Sequence, residues 1–275
     1  MRNIGLHLRI RNTVEKSVNR AIRLQLPIFQ FFFACQIKKS FIRVDDQLIQ
    51  QFNQWRKDHF EALFVHASYF INLASLKYDA LPLLKHEIDL AKQLSCTHVV
   101  LHPGSAAGGK NKQEGIDSLV RAINEVTKDE QDITLVLENT AHGKKSVGSD
   151  IKDFQIILDK LDHPERIAFC IDTAHAYCYG YDIKDDSMRE QFILLIDKTI
   201  GIERVALIHL NDTDQQCGSR IDKHASIGPG NIGQEALKKF VLHPRLQKIP
   251  LILELPLLSE EEEDAMLREV QGWHR

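Results

Sequence analysis

Short apolar runs recur along this chain, each separated from the next by a stretch of helical spacing. Ile4 to Leu8 reads as a first strand, and Asn12-Thr13-Val14-Glu15 as a helix start with Glu three residues after the cap. Val14, Val18 and Ile22 then mark one helical face. Ile28 to Phe33 is the second strand, rich in phenylalanine and far too short to span a bilayer. A helix follows across Asp46 to Asp58. Leu63 to His66 and Thr97 to His102 are the third and fourth strands, with a helix over Leu81 to Leu94 between them. A helix with Ile116, Leu119, Val120 and Ile123 on one side leads to the fifth strand, Ile133 to Glu138. Ile167 to Asp172 and Val205 to Leu210 are the sixth and seventh, preceded by helices carrying Ile151, Phe154 and Leu158, and Phe192, Leu195 and Ile196. Pro250 to Glu254 is the eighth, and Ser259 to Glu269 forms a final helix whose acidic start suits the helix dipole.

Eight strands separated by helical stretches, with no linker or low-complexity tract, predict an α/β protein of one domain over residues 1–275, a (β/α)8 TIM barrel. An open doubly wound sheet is the competing architecture. It expects a Gly-rich phosphate turn after the first strand, where this chain has Arg9-Ile10-Arg11.

Barrel geometry gives the polar strand ends their meaning, because all strand C-termini open on one face. His66, His102, Glu138, Asp172, His209 and Glu254 end six consecutive strands. His175 follows Asp172 by three residues, and Asp222 and His224 lie on the long polar loop after the seventh strand. Any one of these is ordinarily a hydrogen-bonded strand end. Together they bring four carboxylates and five imidazoles to one pocket, where the carboxylates repel unless protonated or bound to cations. Nine donors exceed the four or so that one zinc takes, and fit two or three ions sharing bridges.

Composition narrows the chemistry. With 43% hydrophobic and 27% charged residues the chain is that of a globular protein. No tract nears about 18 uninterrupted apolar residues, and the opening residues lack the apolar core of a signal peptide, so a cytoplasmic protein without membrane contact is expected. Cys35, Cys96, Cys170, Cys178 and Cys217 form no CxxC pair, which leaves histidine and carboxylate to hold any metal. A formal net charge of −3 does not suggest nucleic-acid binding, but three bound divalent ions would reverse its sign, so a polyanionic substrate is admissible.

The segments VHASYFINL (65–73), LHPGS (101–105), LENTA (137–141), CIDTAHAYCYGYD (170–182), HLND (209–212), GSRIDKHASIGPGNIG (218–233) and ILELP (252–256) closely resemble, in collinear order, those of the endonuclease IV family of apurinic/apyrimidinic endonucleases. The resemblance implies three zinc ions at the barrel mouth. His66, His102 and Glu138 would hold one, Glu138, Asp172, His209 and Glu254 the second, and His175, Asp222 and His224 the third. Glu138 would bridge the first two together with a hydroxide and act as the catalytic residue that positions the nucleophile. The implied substrate is the phosphodiester 5′ to an abasic site in double-stranded DNA, cut to a 3′-hydroxyl and a 5′-deoxyribose phosphate by a monomer acting on the nucleoid. Removal of 3′-blocking groups is a further activity of this kind. Tyr69 and Phe70 resemble the family's minor-groove wedge.

Two stretches depart from the family pattern. After the second strand, where relatives place an Arg shortly before a Trp, this chain reads ACQIKKSF (34–41), leaving Ile37 to wedge and Lys38 and Lys39 to meet phosphate. The Gly-rich turn after the first strand is also missing around Arg9 to Thr13. A metal-dependent sugar isomerase or epimerase on a related barrel is the alternative; it needs fewer ligands and a pocket sized for a free sugar. Restoring the family's arginine by Ile37→Arg is expected to tighten binding to abasic duplex, read by titration against a labelled oligonucleotide; unchanged affinity would mean that another contact has taken over.

Overall fold

Successive side chains of a strand point to opposite faces, and in a barrel that parity decides which residues enter the interior and which meet the helices. The structure, a computed structural model, describes residues 2–10, 13–35, 40–129 and 132–274. Eight parallel strands run over Ile4–Leu6, Ile28–Phe32, Ala62–His66, His98–Leu101, Thr134–Glu138, Ile167–Asp172, Val205–His209 and Leu251–Leu253. From the second to the eighth each pairs with the next in sequence, and the eighth pairs with the first. The ring is completed between the first and second strands, where the Leu8 N–H donates to the Gln30 carbonyl at 2.7 Å and His7 bridges Gln30 in parallel register. This is the TIM barrel expected from the alternation, with most strands a residue or two shorter than their apolar runs. His102 and Glu254 stand one residue past the ends of theirs.

Outward positions such as Phe29, Phe31, Val65, Leu101, Leu137, Ile171, Ile208 and Leu253 pack in one continuous core with the helices. Inward positions form a separate apolar layer of Ile28, Phe64, Val100, Val136, Cys170, Leu207 and Ile252, one residue from each of seven strands. The eighth place belongs to Gly5. A Cβ there would lie 2.1 Å from the Ile28 carbonyl oxygen and 3.0 Å from Ile252 Cδ1, so only glycine lets the first strand approach the second closely enough to close the ring. Between the sixth and seventh strands the register slips by one, with Phe169 opposite Val205 but Cys170 opposite Leu207, so Ala206 is the extra residue.

Eight helices cover the barrel: Val14–Arg23, Asp46–His59, Leu81–Gln93, Lys112–Asp129, Lys152–Leu158, Asp186–Ile200, Gln234–Val241 and Glu260–Gly272. Thr13 caps the first of them by accepting from the Lys16 N–H at 3.3 Å, one residue later than expected; Asn12 lies outside the described residues. The last helix opens with a reciprocal capping box between Ser259 and Glu262 and continues past Glu269 to Gly272. Its Glu263 and Asp264 pair with Arg20 of the first helix, at 2.6 and 2.5 Å, which ties the two ends of the chain together. Not foreseen are the short antiparallel pair of Ala34–Cys35 and Ser40–Phe41, the helix Thr173–Tyr179 directly after the sixth strand, and the helix Gln234–Val241 between the seventh and eighth strands. No helix among the described residues is long and apolar enough to cross a membrane.

Because the neighbour of Gly5 is backbone, no rotamer change can relieve a substitution there. Gly5→Ala is expected to destabilise the protein by about 1–3 kcal/mol, the usual cost of overpacking. A urea midpoint equal to that of the parent protein would show that the close approach is not needed for ring closure.

Candidate metal centre

Two residues beyond a member of the inner apolar layer, the same parity points inward again, one layer nearer the C-terminal mouth. Phe64 leads to His66, Val100 to His102, Val136 to Glu138, Cys170 to Asp172, Leu207 to His209 and Ile252 to Glu254. The barrel is thus apolar in its middle and ligand-lined just above. Glu138, Asp172 and His209 are completely buried, and His66 nearly so.

Glu138 stands at the centre of this layer. Its Oε2 lies 3.1 Å from His66 Nε2 and 3.4 Å from His102 Nε2, while its Oε1 lies 3.0 Å from His209 Nδ1 and 3.3 Å from His175 Nδ1. His209 Nδ1 is also 3.3 Å from Glu254 and 4.0 Å from Asp172. Zinc–ligand bonds of about 2.0–2.3 Å in tetrahedral geometry put ligand atoms about 3.5 Å apart, close to these spacings. Donor atoms of His66, His102 and Glu138, and of Glu138, Asp172, His209 and Glu254, lie within 4.8 Å of one another in each set.

The remaining donors arrive by local devices. Asp172 ends its strand and caps the following helix, accepting from the His175 N–H at 2.7 Å, so one turn of helix carries the His175 ring back over the mouth. The loop after the seventh strand is folded around Asp212, whose carboxylate accepts from the N–H groups of Thr213, Gly228, Ile232 and Gly233. Any side chain at Gly230 would strike that carboxylate, at 2.3 Å from its Cγ. Tied down in this way, the loop sets Asp222 Oδ1 3.0 Å from His175 Nε2 and 3.7 Å from His224 Nε2. His224 Nε2 is also 3.5 Å from Asp172, and it is Asp172, His175 and His224 whose donor atoms all fall within 4.8 Å. The third set therefore reaches Asp172 as well as Asp222.

Backbone carbonyls can only accept, so each imidazole nitrogen facing one must donate. Nδ1 of His66, His175 and His224 meets the carbonyls of Ala67, Asn139 and Glu254 at 2.8, 2.9 and 3.1 Å, leaving Nε2 unprotonated in the neutral ring and aimed at the centre. Nε2 of His224 is buried without a hydrogen-bond partner, as expected of a lone pair reserved for a cation, while Nε2 of His175 faces the Asp222 carboxylate.

Electrostatics point the same way. Burial alone would raise the Glu138 carboxyl; the imidazoles of His209 and His102, with hydrogen bonds from His102 and His175, hold it well below the usual carboxylate range. Burial would lower His175, but Asp172 and Asp222 outweigh it and hold that imidazole well above its ordinary value. Without a cation, imidazole protons must offset these carboxylates.

Five residues that support the site were not read from the sequence. Asn139 accepts from the Asp172 N–H at 2.7 Å, and Asn211 donates to Asp172 Oδ2 at 2.6 Å and accepts from the Glu254 N–H at 2.9 Å, locking three strand ends together. Glu87 is fully buried, both its oxygens 3.2 Å from the Ser68 N–H, and burial pushes its carboxyl up to about 7. His7 and Gln30 fill the ligand layer on the two strands that carry no predicted ligand, and the parity that placed the others would have found them.

On the rim, Tyr69 is exposed, its ring 5.5 Å from that of His66 and 5.6 Å from that of His102. It borders a cleft of about 310 Å³ that also takes in Asn72, Thr140, His142 and Asp222. Phe70 is half-buried, its N–H bonded to Ser68 Oγ at 3.3 Å. Ile37, Lys38 and Lys39 lie outside the described residues.

Residues 20–275 match a family described as xylose isomerase-like TIM barrel. A probable endonuclease 4 of Nitrosopumilus maritimus is 31% identical, the alignment covering 98% of each chain, and one of Thermotoga maritima is 32% identical over 95% of this chain and 93% of its own. Among solved structures, endonuclease IV of Thermus thermophilus superposes with a TM-score of 0.85 at 29% identity, covering 98% of both chains. A xylose isomerase domain protein of Salmonella typhimurium shares the fold alone, at 14% identity and a TM-score of 0.72. Relatives 31–32% identical along nearly the whole chain make this chain a member of the endonuclease IV family of apurinic/apyrimidinic endonucleases.

Proposed function

We propose that this protein is a zinc-dependent repair nuclease that hydrolyses the phosphodiester 5′ to abasic sites in duplex DNA, leaving a 3′-hydroxyl and a 5′-deoxyribose phosphate. The observation that carries the reading is the two-sided engagement of Glu138, one oxygen facing His66 and His102 and the other facing His209. A carboxylate so placed suits a bridge between two adjacent cations. His66, His102 and Glu138 would hold one zinc, Glu138, Asp172, His209 and Glu254 a second, and His175, Asp222 and His224 a third. Nitrogen and carboxylate donors in sets of three or four, with buried imidazole lone pairs facing inward, fit that metal. Bound zinc lowers the pKa of water toward about 7 and offsets phosphate charge.

The chain's own residues supply position and selection. Glu138 orients the attacking oxygen from below, fixed by the imidazoles on either side of it. Asn139 and Asn211 keep Asp172 and Glu254 in register with it. Tyr69, held at the rim by the Ser68 turn that Glu87 anchors, enters the minor groove with Phe70 beside it, and Ile37, Lys38 and Lys39, which follow the second strand in sequence, contact the duplex. An abasic nucleotide is cheaper to extrude than a paired one, so a ligand-lined pocket below a wedge selects damage by deformability. Sugar isomerisation is disfavoured by the set of His175, Asp222 and His224, which a single-ion site would not need.

Glu138→Gln is expected to keep the fold and to lower incision of a synthetic abasic duplex by roughly 100-fold or more; near-normal cleavage would reject its role. Metal analysis of the purified protein should give about three zincs per chain, with incision lost to a chelator and restored by zinc. One divalent ion per chain would favour the isomerase, and a protein that shifts the abasic duplex without cutting it would be a binding relative.

A further inference from the structure

The ring of His209 faces the opposite way from those of His66, His175 and His224. Those three donate from Nδ1 to backbone carbonyls and present Nε2 to the centre, whereas His209 presents Nδ1 to Glu138 and Glu254. Its outer nitrogen, Nε2, meets no carbonyl of the main chain. It lies 3.0 Å from Oε1 of Gln30, a fully buried side chain from the second strand. Gln30 Nε2 lies 2.7 Å from Glu254 Oε1 and 2.8 Å from His7 Nδ1. The orientation of this amide is settled by its partners. Turned over, it would press its oxygen against the Glu254 carboxylate, two acceptors at hydrogen-bond distance.

We infer that Gln30 is a positioning residue of the metal centre: its amide oxygen fixes His209 in the Nε2–H form, while its amide nitrogen holds Glu254 in place beside it. The inference rests on the zinc reading above, since it concerns two of the groups assigned to the second ion. Its physical content is tautomer control. A neutral imidazole carries one proton, and only with that proton on Nε2 does Nδ1 offer a lone pair to a cation lying between Glu138, Asp172 and Glu254. Backbone carbonyls perform this task for the other three rings and cannot be mutated away. For His209 it depends on one replaceable side chain. Gln30 occupies its strand's place in the ligand layer, two residues after Ile28 of the apolar layer, which explains an uncharged polar residue in an otherwise aromatic and apolar strand.

The test uses zinc-loaded protein. In the parent, nitrogen-edited NMR of the histidine rings should show His209 protonated at Nε2 and His66, His175 and His224 at Nδ1; a His209 proton on Nδ1 overturns the inference with no variant needed. Gln30→Met keeps the unbranched shape and removes both hydrogen-bonding ends. Expected are a circular dichroism spectrum like the parent's, zinc lost to a competing chelator at least about 10-fold faster from one of the sites, and kcat for abasic incision lowered about 10–100-fold with KM little changed. Parent-like zinc loss in Gln30→Met, with an unchanged His209 signal, overturns the inference and leaves the zinc reading intact. A parent protein that takes up no zinc at all overturns both.

Discussion

Repulsion among buried carboxylates is the constraint on which the rest of the molecule turns. Glu138 and Asp172 have no access to water, and Glu254 and Asp222 lie close by, so the charge they bring must be offset inside the protein. The fold answers with five imidazoles and with backbone donors and acceptors at the strand ends. Water could not be replaced by side chains alone at such density. On the proposed reading cations would resolve the conflict, and the donors that would hold them are the ones that would position a water against a phosphodiester.

Much of this was legible in the sequence because two periodicities meet there. Period-two alternation in runs such as Val205 to His209 gives both the strand and the face on which its last residue lies. Helical spacing between runs gives the α/β repeat and hence a common mouth for all strand ends. The mouth made sense of residues as far apart as His66 and Glu254. What could not be read was whatever depends on contacts between elements. Asn139 and Asn211 look like ordinary loop-starting residues until one sees them bonded across to Asp172 and Glu254. Gln30 is hidden among phenylalanines, and Glu87 lies on a helix whose face is otherwise apolar. The first cap falls one residue later than expected because Thr13 and the residue before it are both types that cap well, and spacing alone does not choose between them.

The chain divides its labour between a rigid floor and a variable rim. Glu138 and its neighbours are fixed by hydrogen bonds from several strands at once, so their positions do not depend on any one loop. The rim is carried by the segments between the strands: Tyr69 by the turn held on Glu87, and Asp222 and His224 by the loop wound around Asp212. Chemistry and substrate choice can therefore diverge separately.

The extra residue Ala206 between the sixth and seventh strands has a consequence for how such a barrel can change over time. Parity is a counting rule: Val205 and Leu207 face opposite sides although two residues apart, because Ala206 is absorbed as a bulge, whereas one residue removed between Leu207 and His209 would swing that imidazole outward among the helices and take a donor away from the mouth. Letters can drift widely in these strands while the tally of residues cannot. The barrel behaves like a reading frame, indifferent to many substitutions and intolerant of a single deletion.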